Sequence, residues 1–275
     1  MSGLKKLQTC LLIQLLIVFF IGCSPVVGTG RSQLNLVDDA ELNQSAALQY
    51  TELIKDSHLS SNREQTRMIR RVGDRISRAA RELMASEGRA AEVEAYKWEF
   101  NLIESDEVNA FCMPGGKVAF YTGILPVCQT EAGVAAVMGH EVAHALAKHG
   151  NERVSQQMMT SIGASLLSIG LGVGGVSGGT SDLVMTAFSV GSTYGVLLPF
   201  SRSHEAEADR IGMSLMSMAG YDPQEAVNLW ERMAEESGGK SPPFFMSTHP
   251  SNQQRIKNLQ SYLPEAQQRF KPTGK

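Results

Sequence analysis

The stretch MGHEVAHALAKHG, at residues 138–150, is the feature that most constrains the fold of this chain. We predict that it belongs to a helix from Thr130 to His149. Residues four apart share one face of a helix, so His140 and His144 present two imidazoles side by side. That geometry suits a tetrahedral metal, and Glu141 beside the first histidine can reach a metal-bound water. A core helix with two hydrogen-bonded histidines is the alternative. The intervening acid on an alanine-rich helix favours the metal site.

A catalytic metal site of this kind needs a third protein ligand and one position left for water. One pattern, HExxHxxGxxH, takes the third ligand from a nearby histidine. This chain has Ala147 and Gly150 where that pattern needs glycine and histidine, so the pattern is excluded. His149 lies five residues after His144 and points off its face. We therefore interpret His149 as structural or solvent-exposed.

The later stretch SRSHEAEADRIG, at residues 201–212, offers Glu205, Glu207 and His204 as further ligands. Asp209 follows Glu205 by four residues and shares its helix face. A carboxylate in such a position commonly holds a ligand imidazole by its far N–H. The pairing favours Glu205 as the ligand and Asp209 as the residue that orients an imidazole. Spacing alone nevertheless leaves the choice between the two glutamates open.

The N-terminus has the order of a secretory signal: a positive start, an apolar run and a small residue before Cys23. The apolar run is short for a membrane span, which favours a cleaved lipoprotein signal peptide at 1–22 over an uncleaved anchor helix. This arrangement resembles a bacterial lipobox, so we predict that Cys23 is lipidated and that 23–37 is a tether. Ser24, by resemblance to Gram-negative sorting, indicates an outer-membrane lipoprotein of the cell envelope that faces the periplasm.

Cysteine usage and charge narrow the choice of compartment and partners. Cys112 and Cys128 remain as an even pair, which an oxidising periplasm permits to form a disulfide. We favour the disulfide over the alternative of two buried thiols. The formal net charge of −3 argues against a nucleic-acid-binding protein, which usually carries a basic stripe. The expected partners are therefore protein substrates and, through a lipid anchor, the membrane.

Residues 38–275 are predicted to form one α+β domain that is mainly helical, because strands come before most of the helices. Tyr96–Ser105 alternates and predicts a strand, and two shorter strands flank a turn at Pro114–Gly116. The apolar, glycine-rich segment Ser161–Phe200 is interrupted by polar residues. This favours two short helices over a re-entrant membrane hairpin. Further helices are predicted at Asp38–Lys55, Asn62–Glu87, Ser203–Gly220, Pro223–Glu236 and Asn252–Leu263.

Four stretches resemble, in order, the zinc metalloproteases of peptidase family forty-eight. They are NAFCMPGGKVAFYTG, GHEVAHALAKH, SRSHEAEADRIG and STHPSNQQRI. The resemblance extends from about Asn62 to Leu263 and is more specific than HExxH alone. It implies a gluzincin-type metalloprotease domain with a small β-sheet beside the HExxH helix. Because no repeat domain is apparent before Lys275, the family's short periplasmic lipoprotein branch is the expected one.

The resemblance also implies the roles of the site residues, with one zinc ion per chain. His140, His144 and Glu205 would be the zinc ligands, and Glu141 would be the general base. His249, in the sequence THP, would lie near the metal, where it caps the zinc or stabilises the oxyanion. Without the resemblance, a loop histidine before a proline is the simpler interpretation of His249.

We expect a metalloendopeptidase that cleaves misfolded or misassembled envelope proteins. The alternative is a membrane-anchored periplasmic chaperone or assembly factor for outer-membrane proteins with latent protease activity. A structural lipoprotein with a degenerate site is disfavoured because the set of ligands and base is complete. The specific substrate and the oligomeric state remain open. We predict that substrate pairs with an edge strand, although an interior strand fits almost equally well. The strand residues are Val118, Ala119, Phe120, Tyr121 and Thr122.

Overall fold

The computed structural model describes residues 23–170, 201–236, 244–249, 253–270 and 272. The predicted signal peptide, 1–22, and most of the apolar segment, 171–200, lie outside the described residues. Among the residues described, none of the helices combines the length and apolar character needed to cross a membrane.

The architecture confirms the predicted α+β class, because helices predominate and the strands form two small sheets. An antiparallel hairpin of β1 (Cys23–Pro25) and β2 (Ser32–Leu34) precedes the main body. The other strands are β3 (Glu99–Ile103), β4 (Ala110–Met113) and β5 (Lys117–Tyr121). The helices are α1 (Asp39–Asp56), α2 (Arg63–Ser86), α3 (Ala90–Glu94), α4 (Leu125–Cys128), α5 (Glu131–Leu146), α6 (His149–Gly170), α7 (Arg202–Met218), α8 (Gln224–Glu236), α9 (Phe244–Thr248) and α10 (Gln253–Arg269).

The three-stranded sheet has the order β3-β5-β4, with β5 parallel to β3 and antiparallel to β4. The predicted edge strand is therefore wrong: Val118–Tyr121 belong to the central strand, and Thr122 begins a 3-10 turn. Val118, Ala119 and Phe120 are fully buried. An apolar run that is buried on both faces fits an interior position. The edges of this sheet are β3 and β4, and β4 packs against α5.

The segment 23–37, predicted to be a tether, instead folds onto the domain as the β1–β2 hairpin. Val26 and Val27 are buried in the main hydrophobic core. Arg31 makes ion pairs with Glu152 on α6 and Glu207 on α7. The polar composition of this segment led to the prediction of a tether. In the structure its charged residue Arg31 forms these ion pairs, because buried or half-buried charges need partners.

The helix that carries HExxH begins where predicted but ends earlier. The Thr130 side chain caps its N-terminus by accepting from Gly133 N–H. The helix ends at Leu146, and Lys148 adopts a left-handed conformation with φ 56° before α6 starts at His149. This turn redirects the chain, so His149 lies beside His144 instead of continuing around the same helix.

The two helices that carry the predicted ligands, α5 and α7, touch backbone to backbone. A Cβ on Gly139 would lie 2.8 Å from the Gly212 carbonyl oxygen, and a Cβ on Gly212 would lie 2.8 Å from the His140 nitrogen. Only glycine fits at both positions. This close approach brings Glu205, near the start of α7, within reach of the histidines of α5.

The predicted disulfide between Cys112 and Cys128 is wrong, because both are free thiols. Cys112 lies on β4 and lines a pocket together with His144. Cys128 ends α4 in the core, where its carbonyl accepts a hydrogen bond from Arg232 of α8. The strand and the helix thus hold the two sulfurs in separate surroundings. Burial raises the pKa of both thiols, to about 12 for Cys128, which keeps them protonated and unreactive.

Candidate metal centre

Four buried side chains converge on one point inside the domain. His140 and His144 come from α5, Glu205 from α7 and His249 from the residue after α9, and their donor atoms all lie within 4.8 Å of one another. The Nε2 atoms of His140 and His144 are 3.1 Å apart. Glu205 Oε1 lies 3.3 Å from His144 Nε2, and Glu205 Oε2 lies 3.5 Å from His140 Nε2. The structure therefore brings together the three residues predicted as ligands.

His249 is the fourth member of this cluster. Its Nδ1 lies 3.1 Å from His140 Nε2 and 3.1 Å from Glu205 Oε1. Its ring stacks on Phe245, one turn earlier in α9. The short helix α9 falls in a segment whose sequence predicts only a loop, and it fixes the position of this imidazole. His249 is therefore placed as a donor to the centre.

Asp209 and Arg255 support the ligands from behind. Asp209 Oδ1 lies 3.0 Å from His140 Nδ1, the nitrogen that faces away from the centre. Arg255 donates to both Asp209 oxygens, at 2.7 and 2.8 Å, and its Nη1 lies 2.7 Å from Glu205 Oε2. Its guanidinium stacks over the Trp230 ring at 3.3 Å. The role proposed for Asp209 from sequence spacing fits this geometry.

Arg255 was missed by the sequence reasoning. The sequence feature that could have indicated Arg255 is its position in the stretch STHPSNQQRI. That stretch resembles the metalloprotease family, but the resemblance implied no role for the arginine. The side chain is almost fully buried, and an arginine is rarely buried without paired carboxylates. Arg255 links Glu205 to Asp209, the residue that contacts the outward nitrogen of His140.

The two glutamates of α7 have different surroundings. This bears on which of them, Glu205 or Glu207, is the third metal ligand, a choice that helical spacing left open. Glu205 faces the cluster, whereas Glu207 accepts hydrogen bonds from Thr29 and Arg31 of the N-terminal hairpin. Glu207 Oε2 also lies 3.2 Å from His149 Nε2. His149 is fully buried, so its interpretation as structural is the one that the structure supports. His204 likewise turns from the cluster and pairs with Glu152.

Glu141 lies next to the cluster without belonging to it. Its carboxylate is buried, and Oε1 makes no hydrogen bond within the described ranges. His249 Nε2 lies 3.5 Å from this oxygen. Burial raises the pKa of Glu141, which makes the carboxylate a better base. A buried acceptor of this kind is costly unless a water or a substrate group donates to it.

The charges of the cluster are strongly coupled. Burial lowers the pKa of His140, but hydrogen bonds to Asp209 and Glu205 outweigh it and raise the pKa to about 9. Burial lowers the pKa of His144 well below its ordinary value. Burial raises the pKa of Glu205, yet the charges of His249 and Arg255 hold it well below its ordinary range. An ionised carboxylate beside several imidazoles is a ready set of metal donors.

The donor set fits a divalent metal. Imidazole nitrogens and a carboxylate oxygen suit zinc and its first-row neighbours, whereas magnesium and calcium prefer oxygen alone. Each histidine of α5 also has a partner on its outward nitrogen, which is the usual support of a metal-bound imidazole. Glu141 Oε1, which accepts no hydrogen bond from the residues that the structure describes, adds an acceptor beside the centre.

A pocket lies beside the end of β4, and His144 is the member of the cluster that lines it. Cys112 and Pro114 line it as well, together with residues of α1, α3 and the α5–α6 turn. The edge strand β4 also packs against α5, the helix that carries His140 and His144. An extended polypeptide lying along this edge would pass close to the cluster.

The fold and this site define a gluzincin-type metalloprotease domain: two histidines of HExxH and a glutamate from a later helix, beside a small sheet. The chain belongs to Peptidase family M48, whose match covers residues 71–263. This match includes the HExxH helix, Glu205 and the part of the C-terminal helix that carries Arg255.

Curated relatives come from mitochondria and from bacteria. The chain is 42% identical to the mitochondrial metalloendopeptidase OMA1 of Schizosaccharomyces pombe over 194 residues, 70% of this chain and 53% of that protein. It is 35% identical to OMA1 of Saccharomyces cerevisiae, over 63% of this chain and 49% of that protein. It is 32% identical to the β-barrel assembly-enhancing protease of Escherichia coli, over 58% of this chain and 33% of that protein. The chain thus spans about half the length of the OMA1 relatives.

Proposed function

We propose that this protein is a zinc-dependent metalloendopeptidase that cleaves misfolded or misassembled envelope proteins. The convergence of His140, His144 and Glu205 on one buried point, with Glu141 beside it, carries the proposal. Membership of Peptidase family M48 supports the reaction type. The OMA1 relatives are metalloendopeptidases by name, and the name of the β-barrel assembly-enhancing relative supports an action connected with β-barrel assembly.

In this mechanism His140, His144 and Glu205 would hold one zinc ion per chain. When bound, zinc would supply Lewis acidity for water activation and for polarisation of the scissile carbonyl. Glu141 takes a proton from the attacking water and passes it to the leaving amine. Its burial excludes competing solvent, and its free oxygen is the acceptor that this proton transfer needs. His249 Nε2 lies 3.5 Å from Glu141 Oε1, beside the proposed base, and its proposed role is to help stabilise the oxyanion.

Substrate is proposed to bind as an extended strand along β4, in place of the central strand favoured by the sequence. The sheet pairs β4 with β5 on one side only, and β4 packs beside the HExxH helix. Main-chain pairing at a strand edge accepts many sequences, which suits an enzyme for misfolded chains.

The decisive variant is Glu141→Gln, which keeps the shape of the side chain but removes its basicity. We expect unchanged zinc content by metal analysis and a loss of casein cleavage by at least about 100-fold, as for other general bases. Glu235→Gln on the exposed side of α8 is the matched control and should alter neither quantity. Casein cleavage by the Glu141→Gln protein at the wild-type rate would refute the assignment of the base.

The second candidate function is a chaperone or assembly factor for outer-membrane proteins with latent proteolysis. The position of His249 favours it, because a fourth donor at the centre can take the place of the water. The two functions differ in whether a cell needs the general base. Rescue of a deletion strain by the Glu141→Gln protein would favour the assembly role, and failure of rescue would favour the peptidase.

The protein is further proposed to be an outer-membrane lipoprotein facing the periplasm, anchored through Cys23. Support comes from the signal-like order before Cys23 and from the exposure of this cysteine at the start of β1. We expect Cys23→Ser to move the protein from the membrane to the soluble fraction of a cell lysate. Cys112→Ser, which removes a thiol inside the domain, should leave fractionation unchanged. Membrane retention of the Cys23→Ser protein would argue against lipidation.

A further inference from the structure

We propose that the N-terminal hairpin is a positioning element of the metal centre, acting through Arg31, Glu207 and His149 on the ligand His144. The inference rests on the proposed metal site and assigns roles to residues that the mechanism does not use. It makes the segment after the lipidation site part of the apparatus that holds the metal.

The first step is the contact between the two histidines. His144 Nε2 faces the centre, so its proton must be on Nδ1 when Nε2 binds a metal. His144 Nδ1 lies 2.8 Å from His149 Nδ1, which therefore acts as the acceptor of that N–H. A neutral imidazole that accepts at Nδ1 carries its own proton on Nε2. The ligand role of His144 thus fixes the tautomer that His149 must adopt.

The second step is the contact that enforces this tautomer. His149 Nε2 lies 3.2 Å from Glu207 Oε2, and a carboxylate can only accept. Glu207 therefore selects the His149 tautomer with its proton on Nε2 and its lone pair on Nδ1. His144, His149 and Glu207 therefore form a hydrogen-bonded series, which we call the relay. It resembles the usual carboxylate–histidine pair of a metal site, with the His149 imidazole between the carboxylate and the ligand.

The third step is the hold of the hairpin on Glu207. Arg31 Nε donates to both carboxylate oxygens of Glu207, at 3.0 and 2.9 Å, and Thr29 Oγ1 donates to Oε1 at 2.7 Å. The two terminal nitrogens of Arg31 donate to Glu152, at 2.9 and 2.7 Å. Arg31 is thus clamped between α6 and α7, and its planar fork fixes the direction of the Glu207 carboxylate.

The two ligand histidines of α5 are therefore supported in different ways. His140 meets the carboxylate of Asp209 directly, at 3.0 Å. The outward nitrogen of His144 contacts His149 instead, and the Glu207 carboxylate behind His149 is held by a segment 176 residues earlier in the chain. Loss of the hairpin contact should loosen one ligand while leaving the other in place.

The test measures metal binding and not only activity. Zinc affinity of the purified chain would be determined by chelator competition, and ligand geometry by the visible spectrum of the cobalt-substituted protein. We expect Arg31→Met to weaken zinc binding by about 10-fold and to shift the cobalt bands, as loss of an outer hydrogen-bond partner does at other sites. Glu152→Gln removes the charge of the other Arg31 partner but keeps an acceptor oxygen for Arg31, and it leaves the Arg31–Glu207 contact in place. Its zinc affinity should therefore stay within about twofold of wild type.

A double-mutant cycle separates positioning from general stability. If Arg31 acts through His149, Arg31→Met should change zinc affinity by less than about twofold in a His149→Gln background. Thr29→Val keeps the side-chain shape and gives a milder second probe, should Arg31→Met not fold. Equal effects of Arg31→Met and Glu152→Gln, or additive effects of Arg31→Met and His149→Gln, would overturn the inference. A wild-type chain that binds neither zinc nor cobalt would instead overturn the proposed function.

Discussion

At the scale of single residues, the cluster is stabilised by buried charges that neutralise one another. Arg255, Asp209 and Glu205 are all almost fully buried and are joined by charge-assisted hydrogen bonds. Burial lowers the pKa of Arg255, but Asp209 and Glu205 outweigh it and raise that pKa. Such a network is stable only while every member keeps its partner, because an unpaired buried charge is strongly destabilising.

Removal of Arg255 tests this balance. Arg255→Met should lower the free energy of unfolding of the metal-free protein by about 3–5 kcal/mol, because Asp209 and Glu205 lose their common partner. Urea unfolding in the presence of a chelator measures it. Arg71→Met is the control: its ion pair with Glu131 lies at the surface, so about 1 kcal/mol or less is expected. Similar losses for both variants would contradict the role given to Arg255.

Helical spacing predicted the site residues that share a helix, the family resemblance added His249, and Arg255 was missed. His140 with His144, and Glu205 with Asp209, follow the four-residue spacing of one helix face. Arg255 comes from the last helix and meets His140 across 115 residues. No local period links residues so far apart. His149 shows a related limit, because its contact with His144 depends on the left-handed turn at Lys148.

At the scale of elements, the centre depends on the contact between α5 and α7. Gly139 and Gly212 remove the side chains that would otherwise separate the two helices. Glu205 lies two turns before Gly212 on α7, so its distance from His144 is set by this crossing. The crossing is the element-level reason that HExxH and the later glutamate form one site.

A methyl group at this crossing should disturb the site. Gly212→Ala would place a Cβ 2.8–2.9 Å from backbone atoms of Gly139 and His140, which cannot move aside as a flexible side chain can. We expect a loss of about 1–3 kcal/mol in unfolding free energy, together with weaker zinc binding. Gly150→Ala on α6 meets nothing within 4 Å and should be neutral or stabilising by about 0.5–1 kcal/mol. Wild-type zinc affinity in Gly212→Ala would show that the crossing does not set the site.

The strands show why element type is easier to predict than element position. The glycines at 115 and 116, with φ 78° and 81°, form the turn that the sequence predicted between β4 and β5. The strand order of the sheet was not predictable, because β3 pairs in parallel with β5 although β4 lies between them in the sequence. Pairing partners depend on tertiary contacts that a strand's own pattern does not contain. For this reason β5 was wrongly predicted to be the edge strand, and β4 lies at the edge instead.

At the scale of the whole molecule, ion pairs between elements tie stability to pH. Lys148, at the turn between α5 and α6, pairs with Asp39 of α1 and with Glu92 of α3. Arg89 also donates to Glu92, at 2.6 and 2.9 Å. The hydrogen bond from Arg89, followed by that from Lys148, lowers the pKa of Glu92 from 4.5 to about 2 despite its partial burial.

The sign of the pH effect follows from this lowered pKa. Because the folded-state pKa is below the unfolded value of 4.5, the stabilisation by Glu92 is present above pH 4.5 and is lost as pH falls through about 2. We expect Glu92→Gln to be less stable than wild type in urea at pH 7, with the difference shrinking toward pH 2. Glu94→Gln, an exposed change on the same helix, should follow wild type throughout. A constant difference between Glu92→Gln and wild type at all pH values would exclude the ion pairs as its cause.

The hairpin and the last helix together have a consequence for how the protein matures. The centre draws on Arg31 near one end of the described residues and on Arg255 near the other, so the chain from 31 to 255 must be synthesised before both supports can form. Closing such long loops is slow, because their entropy is lost before the contacts form. A nascent chain would therefore emerge with its metal cluster still unsupported.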